Sequence, residues 1–315
     1  MGDHVVKTSV LLTAYNGSIH LPVLLESLAA QIDRDFTVLM QDDGSTDETP
    51  SLLSGIAAQD SRFVFGNEQG QHLGAAGNFL SLLRQSDADY VLLCDQDDFW
   101  EADKIAVLKQ AILDLEKQYG SETPLLVHSD CSLVNETGSP IGDSFFRHQG
   151  WDPAAVTLPQ LLVQNNVTGC TLIMNAALRK LVAAHAVAKD LFMHDWFIAL
   201  TAASFGRIAF VDRPLTRYRQ HGENTIGAST QPLLVRGLNA LRNRQDAKRR
   251  ILLTYTHTAV FRKLYGNDLP DAARKTVDDY LATRHMRKIP RVLAVRRMGC
   301  VMQSPVTRLG QLLFG

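Results

Sequence analysis

Short apolar runs rich in β-branched residues alternate with helical patterns over the first 120 residues, and this rhythm constrains the fold more than any other feature. Strands are predicted at 5–15, 35–43, 62–67 and 89–95, and helices at 19–30, 47–59 and 73–85. Strands that alternate with helices in this way form βαβ units, in which helices cover both faces of a parallel sheet. We therefore predict an α/β fold with a Rossmann-like, mostly parallel sheet.

The pattern loosens after about residue 120 and becomes helical after Gly227. Strands are predicted at 125–134 and 170–175, helices at 175–188 and 195–205, a strand or hairpin at 207–221, and helical periodicity at 231–266, 271–286 and 290–313. We place a domain boundary near residue 228. Residues 1–228 form the α/β domain, in two parts at 1–120 and 121–228, and residues 229–315 form a C-terminal α-helical region.

The formal net charge of −1 conceals two unlike parts of the chain. Residues 1–232 hold 15 Lys and Arg against 28 Asp and Glu, whereas residues 233–315 hold 17 against 5. Three interpretations of the basic tail stay open: helices packed on the rest of the chain, contact with anionic lipid, or self-association as a homodimer. Nucleic-acid binding is not expected, because no recognised motif and few aromatic residues accompany the positive charge.

Composition narrows the setting further. No run of 18 apolar residues occurs, so no membrane-spanning helix is expected. The four cysteines are scattered, without a C-x-x-C pair, which favours reduced thiols in a cytoplasmic protein.

Acidic clusters follow the second and fourth predicted strands, at the edge where parallel sheets bind their ligands. CDQDD at 94–98 puts three carboxylates within four positions, and Asp42 and Asp43 end the second strand. Charges so close favour a counter-ion such as Mg²⁺ or Mn²⁺, which one or two carboxylates hold while substrate phosphates fill other positions. The alternatives are structural, with Asp98 as a helix cap and 41–49 as an ordinary strand–turn–helix junction.

Two further segments stand at a strand end and a helix start. LLTAYNG at 11–17 offers Tyr15, whose ring would stack on a base or only mark the strand boundary. LGAAGNF at 73–79 opens a helix and suits a close approach to phosphate. It matches neither G-x-G-x-x-G nor a Walker A loop, which removes the main support for dinucleotide oxidoreductases and P-loop NTPases.

Taken in order, LLTAYNG, QDDGSTDET, LGAAGNF and CDQDD resemble the nucleotide-sugar-binding half of family 2 inverting glycosyltransferases with the GT-A fold. HDW at 194–196 and YRQHGENTIG at 218–227 extend the resemblance over about residues 8–227. These two segments are similar to the bacterial rhamnosyltransferase-like branch, which serves O-antigen, capsule and cell-wall polysaccharide synthesis. Residues 1–120 would then be the nucleotide-sugar-binding half of a catalytic domain, and 121–228 its acceptor half.

The resemblance implies metal-dependent, inverting transfer of L-rhamnose from dTDP-L-rhamnose to a growing surface polysaccharide or lipid-linked glycan, with Mg²⁺ or Mn²⁺ as cofactor. The basic helices would suit peripheral contact with the inner leaflet of the cytoplasmic membrane. Three alternatives stay open: a transferase for another nucleotide sugar such as a UDP-hexose, a nucleotidyltransferase, and a non-catalytic nucleotide-sugar-binding or membrane-scaffolding protein.

The resemblance also implies which residues contact the donor and the metal. Six would contact the nucleotide: Thr13, Tyr15, Asp42, Asp43, Asn78 and Asp95. Asp97 would ligate the metal that bridges the diphosphate, and His221 would complete that site unless it is only a hairpin histidine.

The remaining implied roles concern the acceptor. Asp195 would be the catalytic base that takes the proton of the attacking hydroxyl, or the N-cap of its helix, or both. Three residues would contact the acceptor: Asn166, Thr168 and Trp196. A polar turn for the first two and a core position for Trp196 are the alternatives.

Overall fold

Residues 6–66, 72–220 and 244–314 are described in a computed structural model. The strands in these ranges are β1 Thr8–Ala14, β2 Thr37–Asp42, β3 Phe63–Phe65, β4 Tyr90–Asp95, β5 Phe99–Trp100, β6 Leu125–Val134, β7 Pro140–Gly142, β8 Leu172–Asn175 and β9 Arg207–Arg219. The α-helices are α1 Leu21–Ala29, α2 Thr49–Gln59, α3 Gly74–Gln85, α4 Lys104–Tyr119, α5 Phe145–Gln149, α6 Leu158–Leu161, α7 Ala176–His185, α8 His194–Phe205, α9 Arg244–Tyr265, α10 Asp271–Thr283, α11 Lys288–Arg297 and α12 Pro305–Phe314.

The strands form one sheet in the order β3-β2-β1-β4-β8-β6-β9-β5, with β7 paired to β6. The part built from β3, β2, β1 and β4 is parallel throughout. Beyond it the sheet is mixed, because β8 runs antiparallel to both β4 and β6 while β9 runs parallel to β6. The region predicted as a strand or hairpin is the single strand β9, which pairs with β6 on one side and with β5 on the other.

Alternate residues of the central strands face two separate apolar layers, as a period of two requires. Val10 and Leu12 of β1 pack in the layer that contains α1 and α4. Leu11 packs in the layer that contains α3, α7 and α8. The predicted α/β sheet with helices on both faces, followed by a C-terminal helical region, is confirmed.

The C-terminal helices belong to the second of these layers. Tyr265 at the end of α9 stacks on Phe197 of α8 with a centroid distance of 5.6 Å, and its hydroxyl lies 2.9 Å from that of Thr201. Val277 and Tyr280 of α10 and Val295 of α11 join the same apolar cluster. The predicted boundary near residue 228 lies outside the described residues.

Within the described ranges, every helix is too short or too polar to span a bilayer.

Candidate active site

The carboxyl ends of β1, β2 and β4 meet at one edge of the sheet. The register sets Thr13 of β1 beside Gln41 of β2 on one side and Asp95 of β4 on the other. Two acidic loops therefore lie near each other: the β2–α2 loop (residues 42–48) and the β4–β5 loop (residues 95–98). This is the edge that the sequence predicts for ligand binding.

Carboxylates crowd together in the β4–β5 loop. Asp95 and Asp97 are partly exposed, whereas Asp98 is fully buried, and neither of its carboxylate oxygens makes a hydrogen bond of normal geometry with the described residues. Burial, followed by the charges of Asp97 and Asp95, raises the pKa of Asp98 well above its usual range. Burial, followed by the charges of Asp97 and Asp195, raises the pKa of Asp95 to about 7. The charge of Lys104 acts in the opposite direction on both carboxyls but does not outweigh these causes.

The donor atoms in this loop fit a hard divalent cation. Asp95, Asp98 and Cys170 each offer one ligand atom, and these atoms lie within 4.8 Å of one another. Burial raises the pKa of the Cys170 thiol well above its usual range, so this soft ligand stays protonated. The carboxylate oxygens are therefore the groups suited to Mg²⁺ or Mn²⁺.

A buried lysine that the sequence did not predict lies close enough to the acidic loop for its charge to act on Asp95 and Asp98. Lys104 is fully buried at the start of α4, and its ammonium group donates to the carbonyl oxygen of Cys170 at 2.5 Å and to the Thr216 hydroxyl at 2.8 Å. The ammonium nitrogen also lies 3.5 Å from the centroid of the Trp100 ring. Burial lowers the pKa of Lys104. Lysines in a helix that mixes Lys with apolar residues usually face solvent. The sequence pattern therefore does not identify Lys104 as a buried residue.

Carboxylates of the β2–α2 loop, in contrast, are bound within the protein. Asp42 accepts hydrogen bonds from the backbone N–H of Gly44 at 3.1 Å and of Ser45 at 2.9 Å. Asp43, 3% exposed, accepts from the backbone N–H of Leu73 at 2.6 Å and of Gly74 at 2.8 Å, where α3 begins. Asp42 holds the loop in place, and Asp43 holds the start of α3. Contact of either residue with the base stays a prediction.

Tyr15 is positioned by a glutamine of the β4–β5 loop. The backbone N–H of Tyr15 donates to Oε1 of Gln96 at 2.7 Å, and Nε2 of Gln96 donates back to the Tyr15 carbonyl at 3.0 Å. A Cβ on Gly17 would lie 2.2 Å from Oε1 of Gln96, so only glycine leaves room for this pair. The sequence offered no sign of Gln96, because it sits between acids that dominate the motif.

The Tyr15 side chain is 46% exposed and has an aromatic neighbour from the start of α3. Its ring lies 4.7 Å from that of His72, and Nδ1 of His72 lies 2.9 Å from a carboxylate oxygen of Asp43. Asn78 of α3 is 2% exposed, and its side-chain oxygen has no hydrogen-bond partner in the part of the chain that the structure describes. Tyr15, His72 and Asp43 thus come together at the predicted nucleotide-binding edge, and contact of Asn78 with the donor stays a prediction.

Asp195 lies at the first turn of α8 and is 6% exposed. Its carboxylate accepts from the backbone N–H of Gly169 at 3.2 Å and of Trp196 at 2.6 Å. Burial raises the pKa of Asp195 to about 6, although these backbone hydrogen bonds act in the opposite direction. A carboxylate with this pKa is mostly ionised at neutral pH and near the range where proton transfer is efficient.

His194, the residue before Asp195, is held between two elements. Its ring stacks on Phe79 of α3 with a centroid distance of 4.4 Å, and a Cβ on Gly169 would lie 3.3 Å from its Nε2. Burial lowers the pKa of His194 to about 4, so the imidazole is neutral beside Asp195 at neutral pH.

Two of the three predicted acceptor residues are buried. Trp196 is 7% exposed, its indole N–H donates to the Leu161 carbonyl at 2.6 Å, and its ring lies 4.5 Å from that of His257. It packs in the core, and its contact with the acceptor stays a prediction. Asn166 is 2% exposed and joins two parts of the chain, as its amide nitrogen donates to the Asp152 carbonyl at 2.8 Å and its oxygen accepts from Gln303 at 2.8 Å. Thr168 is partly exposed and stays a candidate.

His221 lies outside the described residues. The strand that leads to it is anchored to the β4–β5 loop, because Nε of Arg219 donates to the Asp97 carbonyl at 3.0 Å. Arg217 pairs with Glu101 at 2.8 Å.

Comparison with known proteins identifies the class of protein that this fold and site define. Residues 9–180 match the sequence profile of glycosyl transferase family 2, which is more than half of the chain. The chain therefore belongs to this family, and the predicted family membership is confirmed.

Relatives agree with this assignment. A dTDP-rhamnosyl transferase of Shigella flexneri, RfbG, is 27% identical over 231 residues, which cover 69% of this chain and 74% of that protein. Residues 1–349 of TarS from S. aureus, solved in complex with UDP, are 18% identical and superpose with a TM-score of 0.54 over 91% of this chain and 75% of that one. The mannosyltransferase PcManGT from Pyrobaculum calidifontis, solved with GDP-Man and Mn²⁺, is 15% identical, with a TM-score of 0.55 over 94% and 74% of the two chains. The two structures support the GT-A fold.

Proposed function

We propose that this glycosyltransferase moves L-rhamnose from dTDP-L-rhamnose to a growing bacterial surface polysaccharide or lipid-linked glycan, with inversion at the anomeric carbon and with Mg²⁺ or Mn²⁺. The observation that carries the proposal is the group of closely spaced carboxylates in the β4–β5 loop, with the carboxylate of Asp195 close enough to raise the pKa of Asp95. Similarity to the Shigella rhamnosyl transferase supports the choice of sugar.

The donor would lie along the carboxyl edge of the sheet. Tyr15, paired with His72, would stack on the pyrimidine ring, and Thr13 would contact the base from the end of β1. Asn78 would lie near the ribose and diphosphate, where its buried side-chain oxygen would accept a hydrogen bond from a ribose hydroxyl. Asp95 would face the ribose, and Asp97 would hold the cation beside the closely spaced carboxylate oxygens of Asp95 and Asp98. The cation would supply positive charge that neutralises the departing diphosphate.

Transfer would occur as one displacement. The oxygen of the acceptor hydroxyl bonds to the anomeric carbon while the bond from that carbon to the diphosphate oxygen breaks, and the electron pair of that bond leaves with the nucleotide. Asp195 accepts the hydroxyl proton on the attacking side, and neutral His194 beside it adds no positive charge that would keep Asp195 from accepting that proton. Thr168 would orient the acceptor from the loop that precedes β8. The residues that precede 228 would thus form the catalytic domain.

The release of dTDP from dTDP-L-rhamnose in the presence of Mn²⁺ tests the proposal. We expect Asp97→Ala and Asp195→Ala each to lower this rate by about 100-fold or more, since a positioned acid or base contributes on that order. Asp114→Ala is the matched control, because Asp114 is an exposed acid that pairs with Lys117 far along α4. Full activity in either active-site variant would refute the assignment.

The donor and the stereochemistry need separate measurements. Calorimetry with dTDP-, UDP- and GDP-sugars and Mn²⁺ should give the tightest binding for dTDP-L-rhamnose, and tighter binding of another sugar nucleotide would replace the proposed donor. The anomeric configuration of the transferred sugar, read by NMR, should be opposite to that in the donor.

A further inference from the structure

The C-terminal part of the chain contains a long segment without negative charge. Residues 280–315 include no Asp or Glu, and seven of them are Lys or Arg. Six of these seven are exposed: Arg284, Arg287, Lys288, Arg296, Arg297 and Arg308. Because the rest of the protein is acidic, this segment concentrates positive charge in one region.

Helix α11 in this segment has one face in the core and one face in solvent. Val295 is 6% exposed and packs in the same apolar cluster as Tyr280. Ile289 and Leu293 are 74% and 51% exposed, and their spacing of four puts them together on the opposite side. Arg296 and Arg297 follow one turn later on that side. We call these four residues the outer face of α11.

The side chains on the outer face of α11 restrict what can cover it. Two large aliphatic side chains lie among arginines, with no acid in the segment to neutralise them. A second copy docked face to face would bring two acid-free surfaces together, which like charges oppose. A nucleic acid would neutralise the arginines but leave Ile289 and Leu293 without an apolar partner. An anionic bilayer offers both phosphate groups for the arginines and acyl chains for the aliphatic side chains.

We propose that the outer face of α11 binds the surface of an anionic membrane, with Ile289 and Leu293 in the acyl boundary and Arg296 and Arg297 among the lipid phosphates. Helix α12 adds a second pair of exposed aliphatic residues in the acid-free segment, Leu309 and Leu313, at 43% and 40% exposure. This binding is independent of the proposed sugar transfer, since it requires neither donor nor metal.

Point variants test the surface better than truncation, because α9, α10 and α11 share the core with α8. The full chain is sedimented with vesicles of phosphatidylcholine alone and with vesicles of equal parts phosphatidylcholine and phosphatidylglycerol, at low and at high salt. We expect binding to the anionic vesicles only, weakened by salt. Double substitution R296E/R297E should weaken binding by more than tenfold, since each basic charge contributes about fivefold.

Matched controls separate this surface from general effects. K180E/K189E makes the same change of charge at exposed positions of the α/β part and should bind far more strongly than R296E/R297E. I289S/L293S should weaken binding by about tenfold, whereas I32S/V64S, at two other exposed aliphatic positions, should not. Circular dichroism and dTDP release in solution establish that each variant is folded.

Three results would overturn the proposal: the wild-type chain does not bind vesicles, it binds neutral and anionic vesicles equally, or R296E/R297E binds anionic vesicles with wild-type affinity. Self-association that R296E/R297E abolishes, without vesicle binding, would assign the face to a second copy. Binding of duplex RNA that displaces the vesicles would assign it to nucleic acid. Failure of the transfer assay alone would leave the vesicle result, and hence this proposal, unaffected.

Discussion

The β2–α2 loop and the β4–β5 loop both carry adjacent acids at the same edge of the sheet, yet their carboxylates have opposite surroundings. Asp42 and Asp43 accept backbone hydrogen bonds from their own loop and from the start of α3. Among the described residues, Asp98 has no hydrogen-bond partner of normal geometry for either oxygen, and the pKa values of Asp98 and Asp95 are raised. Position at a strand end therefore does not define a binding residue, whereas the absence of internal partners does point to a ligand.

Stability in the absence of metal should show this difference most strongly. Asp43→Ala leaves the N–H groups of Leu73 and Gly74 without an acceptor, and hydrogen bonds to a charged group contribute about 1.5–3 kcal/mol each. We expect a loss of about 3 kcal/mol in the free energy of unfolding, measured by denaturant titration in EDTA. Asp95→Ala should change it by less than about 1 kcal/mol, because the substitution also relieves repulsion with Asp97 and Asp98. Comparable losses in both variants would contradict the distinction.

The response to Mn²⁺ should reverse the order of the two loops. A cation that binds only the folded state stabilises it by about 2.7 kcal/mol at a concentration 100 times its Kd. We expect this gain in the wild type and in Asp43→Asn, which keeps a hydrogen-bond acceptor at the start of α3. Asp97→Ala should lose most of it in the same denaturant titration. An undiminished Mn²⁺ effect in Asp97→Ala would place the cation elsewhere.

The sequence was sufficient for the βαβ frame and for the acids at its edge, because hydrophobic period and strand ends are local features. Observed strand ends agree with the predicted ones to within about three residues in β1, β2 and β4. Which acids are internally bound was not predictable, since Asp43 meets partners at positions 73 and 74 that only the folded chain brings close.

The two buried acceptor candidates, Trp196 and Asn166, show the same limit of sequence-based prediction. Trp196 follows Asp195 in a motif, but α8 is buried along most of its length and on all sides, which an evenly apolar sequence such as FIALTAASF indicates. That signal was available and favoured the core position. Asn166 gave no such sign, because its partner Gln303 comes from the far end of the chain.

The pH dependence of catalysis compares the same two regions by titration. Burial raises the pKa of Asp195 to about 6, whereas hydrogen bonds from Thr49 and Ser18 outweigh burial and hold the pKa of Asp47, in the β2–α2 loop, well below its usual range. A base must be ionised to accept a proton, so kcat/KM should be constant above about pH 7 and fall as the pH drops through 6, approaching tenfold per unit, or about 1.4 kcal/mol.

Asp47 has a lowered pKa in the folded state, so its contribution to stability is full above its unfolded value of about 3.9 and is lost only at lower pH. Between pH 6 and pH 4 the enzyme should therefore lose activity while this loop stays intact, which rate measurements and thermal unfolding over the same buffers would show. Loss of rate and of folded structure at one common pH would mean that unfolding, and not protonation of Asp195, limits activity in acid.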